Sequence, residues 1–118
     1  MASYGKAPFL ECSSRGDKRF SAFYARVNGR SIVEQYQAAK VFDDGSTGLH
    51  WRKAKGRKPV NAAECAALYV KLWRQYISEH PELLDVLVKA SGLNDMFARP
   101  GSVNQAATLW KIRCEADK

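Results

Sequence analysis

The clearest hydrophobic pattern lies in the middle of the chain. There Cys65, Leu68, Tyr69, Leu72, Trp73 and Tyr76 recur at spacings of three and four and form one wide apolar stripe on a helix. Asn61 stands before it as an N-cap with Glu64 at the third helical position, and the pattern fades near Ser78 and Glu79. A second apolar set, Leu83, Leu84, Leu87 and Val88, follows Pro81, which suits a first helical turn, and Gly92 is placed for a left-handed C-terminal cap. An earlier helix is predicted from Ser31 to Val41 or Phe42. Ser31 and Glu34 make a capping box at its start, Val33, Tyr36 and Ala39 or the stem of Lys40 face inward, and Asp43-Asp44-Gly45 stops it. Before it, residues 20–27 alternate imperfectly through Phe20, Ala22, Tyr24 and Arg26, which reads as a short strand entering the Asn28-Gly29 turn.

The rest of the chain is punctuated by turn formers. Residues 1–18 carry Gly5, Pro8, Ser13, Ser14 and Gly16 and read as an irregular arm with a short extended piece at residues 9–12. Residues 45–59 read as a loop, and residues 94–97 as one further turn. Pro100-Gly101 breaks the chain, Ser102 is placed to cap a last helix containing Ala106, Ala107, Leu109 and Trp110, and residues 114–118 read as a tail. The expected fold is mainly α, a single compact domain with a short strand or hairpin element near the N-terminus.

Composition narrows the partners. At 118 residues, 46% hydrophobic and 26% charged, the chain has the make-up of one soluble domain. Its 19 Lys and Arg against 12 Asp and Glu leave a formal charge of +7, which favours nucleic acid, nucleotide phosphates or another anionic partner. The N-terminal segment has no apolar run of the secretory kind and no window approaches the ~20 apolar residues of a membrane span, so a cytoplasmic location is expected. Cys12, Cys65 and Cys114 are widely spaced without any C-x-x-C pairing, so neither a disulfide framework nor a zinc site is indicated, and no metal or cofactor is implied. A nucleophilic cysteine would need a basic partner such as His50 or His80.

The candidate chemistry centres on two segments. The first is Arg19-Phe20-Ser21-Ala22-Phe23-Tyr24, followed after a gap by Gly29-Arg30-Ser31-Ile32-Val33-Glu34-Gln35-Tyr36-Gln37-Ala38-Ala39-Lys40. The second is the run at residues 52–58, where Arg52, Lys53, Lys55, Arg57 and Lys58 are five basic residues in seven positions beside Trp51. That run is either a solvated loop or a phosphate or nucleic-acid contact, and it lacks the glycine pattern of a phosphate loop. Glu34 is accounted for by the capping box, or it is a carboxylate that works on a glycosidic bond as the carboxylates of sugar hydrolysis do. Gln37 can read an amide or hydroxyl edge, Lys40 can neutralise a phosphate, and an aromatic side chain at Phe20 or Tyr24 can stack on a ring or simply fill the core.

The first segment resembles the opening of the NADAR family of N-glycosidases, in which an F-S-x-F-Y-like stretch and a glycine precede an S-V-E-H-x-Y-Q-A-x-K helix. Tyr36, Gln37 and Lys40 match that pattern directly, while an ungapped alignment sets Val33 at the position of the family's catalytic glutamate and Glu34 one residue on. His80-Pro81-Glu82-Leu83-Leu84 is similar to the family's N-P-x-L-x-x-L-L helix. Trp110 corresponds to the tryptophan of its terminal I-W-G-x-G motif, with Lys111 and Arg113 in place of the glycines. The resemblance covers residues 19–113. It implies a helical domain that binds an ADP-ribose or ribosyl-nucleotide group and hydrolyses its N-glycosidic bond, on nucleic acid in some members. In that frame Glu34 is the acid–base candidate. Arg19, Phe20, Tyr24, Tyr36, Gln37, Lys40 and Trp110 would shape the ligand pocket, with Arg52, Lys53, Lys55, Arg57 and Lys58 on phosphates. The alternatives are a binding module for nucleic acid or an acidic protein on a NADAR-like scaffold without catalysis, and a small interaction protein such as a phage-encoded inhibitor of a host enzyme.

Overall fold

The computed structural model describes residues 1–116, and the chain starts with strands rather than with an irregular arm. Strand β1 (Ala2–Gly5) and strand β2 (Phe9–Glu11) flank a later strand, β5 (Gly92–Asp95), in a three-stranded sheet ordered β1-β5-β2. β1 runs antiparallel to β5 with Ala2 opposite Asp95, and β2 runs parallel to it with Glu11 opposite Asn94. Close packing at two glycines makes this sheet possible. A side chain at Gly5, which has φ +78°, would meet the Trp110 ring and the Ser91 carbonyl, and one at Gly92 would meet the Lys6 carbonyl and the Phe9 ring. Gly92 is therefore a strand residue and not the left-handed helix cap that its position suggests. Asn94 and Asp95, expected in a turn, continue the same strand.

A 3-10 turn at Lys18–Phe20 is followed by a reversal at residues 21–25, in which Tyr24 and Ala25 both donate to the Ser21 carbonyl. This replaces most of the strand expected there. Only β3 (Arg26–Val27) is extended, and it pairs antiparallel with β4 (Arg30–Ser31) across Asn28 and Gly29, at φ 55° and 80°. Both turn residues have the positive φ of a tight two-residue hairpin.

Helix α1 (Ile32–Ala38) opens on the expected capping box, with Ser31 Oγ accepting from the Glu34 amide at 3.2 Å and the Ser31 amide donating to Glu34 Oε1 at 3.4 Å. It ends before Val41 because the Asn61 side chain intercepts the backbone there. Asn61 Nδ2 donates to the Ala39 carbonyl at 3.0 Å, and its Oδ1 accepts from the Val41 amide at 2.9 Å. Asn61 thus spends its amide on another segment and does not cap the helix that follows it. The expected loop contains one short helix, α2 (Trp51–Ala54).

Helices α3 (Ala62–Glu79) and α4 (Pro81–Lys89) fall where periodicity and Pro81 place them. α3 is the centre of the core, with Trp73 wholly buried, and it packs on α1, α4 and the last helix, α5 (Gln105–Ala116). Asn104, not Ser102, stands in the capping position of α5, its Oδ1 accepting from the Ala107 amide at 2.8 Å. Of the expected tail, residues 114–116 belong to α5, and residues 117–118 lie outside the described residues. Among the described residues the architecture is a single domain of five α-helices with a small sheet and a hairpin, mixed α/β rather than purely helical. Among the described residues no helix is long and apolar enough to cross a membrane.

Candidate functional site

Helix α1 is fixed at its N-terminus by the segment just before it. The Ile32 amide donates to the Ala25 carbonyl, the Val33 amide to the Ala22 carbonyl, and the Glu34 amide to Ser31 Oγ. This anchoring turns Val33, Tyr36 and Gln37 into one wall of a cleft of about 600 Å³. The turn at residues 21–25 supplies Phe23, α3 supplies Tyr69, and the basic run supplies Lys55. The opposite wall comes from the end of β5 and the segment leading into α5, with Asp95, Phe97, Arg99, Asn104 and Gln105.

A buried joint holds the two walls together. Gln105 Oε1 accepts from the Ala22 amide at 3.0 Å, and its Nε2 donates to Asp95 Oδ2 at 2.7 Å. The other Asp95 oxygen accepts from the Phe97 amide at 3.1 Å. Glu11 stiffens the same region from β2, since one oxygen of its carboxylate accepts from the Ser13 and Met96 amides and the other from Asn94. Burial acts to raise the Glu11 pKa, but these hydrogen bonds outweigh it and the net direction is down.

Of the residues expected to form a site, Tyr36, Gln37 and Lys55 line this cleft. Tyr36 meets Tyr69 edge to face at 5.1 Å, and burial raises the pKa of both phenols. Gln37 is 8% exposed and its Oε1 has no hydrogen-bond partner among the described residues.

The others stand elsewhere. Glu34 is held in the capping box with Arg30 at 3.9 Å, its side chain 41% exposed, and it is not part of the cleft lining. The Ser31 hydroxyl holds its carboxyl below the usual range, the opposite of what a general acid at neutral pH needs. Lys40 is 6% exposed, and its Nζ donates to the carbonyls of Ala54 at 3.4 Å and Arg57 at 3.3 Å, 5.4 Å over the Tyr36 ring. Burial lowers its pKa, and the ammonium pins the backbone of the basic run instead of meeting a phosphate.

Phe20 is in the core, Arg19 is paired with Asp17 at 2.7 Å, and Tyr24 is on the surface under Lys18 Nζ. Trp110 packs against Gly5 and under the Arg113 guanidinium at 4.7 Å, apart from the cleft lining. In the basic run, Arg52 lies 5.2 Å over Trp51 and Arg57 3.9 Å over Phe42, while Lys53 and Lys58 are exposed. Among the described residues no group of three or more His, Cys, Asp or Glu side chains is placed to hold a metal ion.

Sequence reasoning reached Phe23 only as part of the Phe20–Tyr24 stretch, and it passed over Asp95, Asn104 and Gln105. Phe23 was hidden by reading residues 20–27 as a strand, in which Phe20 and Tyr24 faced inward. The other three carry no motif, because their roles depend on partners far away in the chain.

Compared with known protein-family models and with curated proteins, the chain has no match.

Proposed function

We propose that this is a NADAR-like protein whose cleft binds an ADP-ribose or ribosyl-nucleotide group. The observation that carries the reading is that Tyr36 and Gln37 of the Tyr36-Gln37-Ala38-Ala39-Lys40 pattern meet Lys55 of the basic run in one cleft. Its volume of about 600 Å³ is within the usual range for small-ligand pockets. Phe23 and Tyr36 offer aromatic faces to a ring, and Lys55 with Arg99 offers two cations to a diphosphate. The remaining basic residues, Arg52, Lys53, Arg57 and Lys58, are exposed beside it and would meet the backbone when the ligand is part of a nucleic acid. Buried free thiols at Cys12 and Cys65 suit a reducing compartment such as the cytoplasm.

Titration calorimetry with ADP-ribose tests this. The wild type should bind, Lys55→Gln should weaken binding about tenfold, the size of one charge-assisted contact, and added salt should narrow that difference. A wild type that does not bind ADP-ribose sinks the reading.

Cleavage of the N-glycosidic bond is the second reading, and the observation that favours it is Asp95, the carboxylate that lines the cleft. Asp95 would stabilise positive charge at the anomeric carbon and take a proton from the attacking water. The C–N bond breaks with its electron pair going to the base, which is then protonated from solvent. Release of free ADP-ribose from an ADP-ribosylated oligonucleotide, present in wild type and lost in Asp95→Asn, is the expected result. No release by the wild type leaves a binding module.

A further inference from the structure

Buried polar side chains line the cleft at Ser13, Gln37, Asp95, Asn104 and Gln105. All but one have hydrogen-bond partners within the chain. Ser13 Oγ accepts from the Arg15 amide, Asp95 accepts from Gln105 and the Phe97 amide, and Gln105 uses both ends of its amide on Asp95 and Ala22. Asn104 accepts from the Ala107 amide and donates to Ser102. Gln37 is the exception, more than nine-tenths buried in the cleft wall with its Oε1 unpartnered among the described residues. A buried amide oxygen without a donor is unfavourable and calls for a partner from outside the chain.

We infer that Gln37 is the specificity-determining residue of the cleft, and that the ligand buries against it an edge with an N–H beside an acceptor, such as the amidine edge of adenine or a carboxamide. A primary amide offers one acceptor and two donors side by side, so it complements such an edge through two parallel hydrogen bonds. Tyr36 and Phe23, in the same lining, supply flat walls for the ring that bears the edge. The inference rests on the cleft being the ligand site proposed above, and it adds which chemical group is read and by which residue.

The experiment compares ligands that differ in the N–H alone or nearly so. The pairs are AMP against purine riboside 5′-monophosphate, and nicotinamide mononucleotide against nicotinic acid mononucleotide, titrated by calorimetry with ADP-ribose alongside. In at least one pair the wild type should favour the N–H-bearing member by about tenfold or more, and Gln37→Met should abolish that preference. The Gln37 side-chain amide signals in a ¹⁵N–¹H spectrum of the wild type should shift with the favoured member and stay in place with its counterpart, a readout that needs no variant. Equal affinities within both pairs, or a preference that survives in Gln37→Met, overturn the inference and leave the ligand class of the cleft standing. Failure of all four to bind overturns it as well, and the ADP-ribose titration then shows whether the proposed function falls with it.

Discussion

Gln105 holds Asp95 by a 2.7 Å hydrogen bond inside the protein, and because the same amide also accepts from Ala22, one side chain fixes both walls of the cleft. Replacing it by Leu leaves a buried carboxylate oxygen short of a donor and a buried backbone N–H without an acceptor. Each orphaned group costs roughly 1–3 kcal/mol, so Gln105→Leu should lower unfolding free energy by about 2–6 kcal/mol in urea titration. A loss within about 0.5 kcal/mol, the range of ordinary surface changes, would mean that this joint does not hold the walls.

Lys40 should act on the basic run rather than on a ligand. Its ammonium donates to the Ala54 and Arg57 carbonyls on either side of Lys55, so Lys40→Met should loosen that segment. Limited trypsin digestion reads this directly, because Arg52, Lys53, Lys55 and Arg57 are themselves cleavage positions. Cutting there should be several-fold faster in the variant, with a global stability change of only about 1–2 kcal/mol. Unchanged digestion would argue against the pinning role.

For Glu34 the expectation is a quiet substitution. Glu34→Gln keeps the length of the side chain and an oxygen for the Ser31 amide, and it removes the weak pairing with Arg30. Stability should change by less than about 1 kcal/mol, and ADP-ribose affinity should be unaltered. A large fall in any ADP-ribose-release activity would instead return Glu34 to the acid–base role.

Cys12 predicts an alkaline limit. It is wholly buried beside Glu11, and burial pushes its thiol from about 9 up to about 12. Above pH 9 the unfolded chain gives up this proton while the folded protein keeps it, so the unfolded state binds fewer protons and stability falls as pH rises toward about 12. Cys12→Ala should flatten that part of the curve. At pH 8 the folded protein should alkylate with iodoacetamide at the partly exposed Cys114 and not at Cys12; fast labelling of Cys12 would contradict its burial.

The sequence by itself determined the elements whose causes are local. The Ser31–Glu34 capping box, the Asn28-Gly29 hairpin, the stripe of α3 and the start of α4 at Pro81 each depend on residues a few positions apart, and each forms as the spacing predicts. For the same reason Tyr36 and Gln37 could be singled out, because they share a face of α1 with Val33 and stand in a recognisable order. What the sequence could not display was which side chain would be spent on a distant partner. Asn61 looks like a cap and binds Ala39 and Val41, Lys40 looks like a free cation and is buried on two carbonyls, and Gly92 looks like a helix stop and lies in a strand. Tertiary structure decided the cleft itself. Gln105 reaches Ala22 across 83 positions, and β5 brings Asp95 opposite Ala2, so the walls come from segments that local pattern cannot relate. A hydrogen-bonding side chain takes the partner that packing brings to it, and packing is a property of the whole chain.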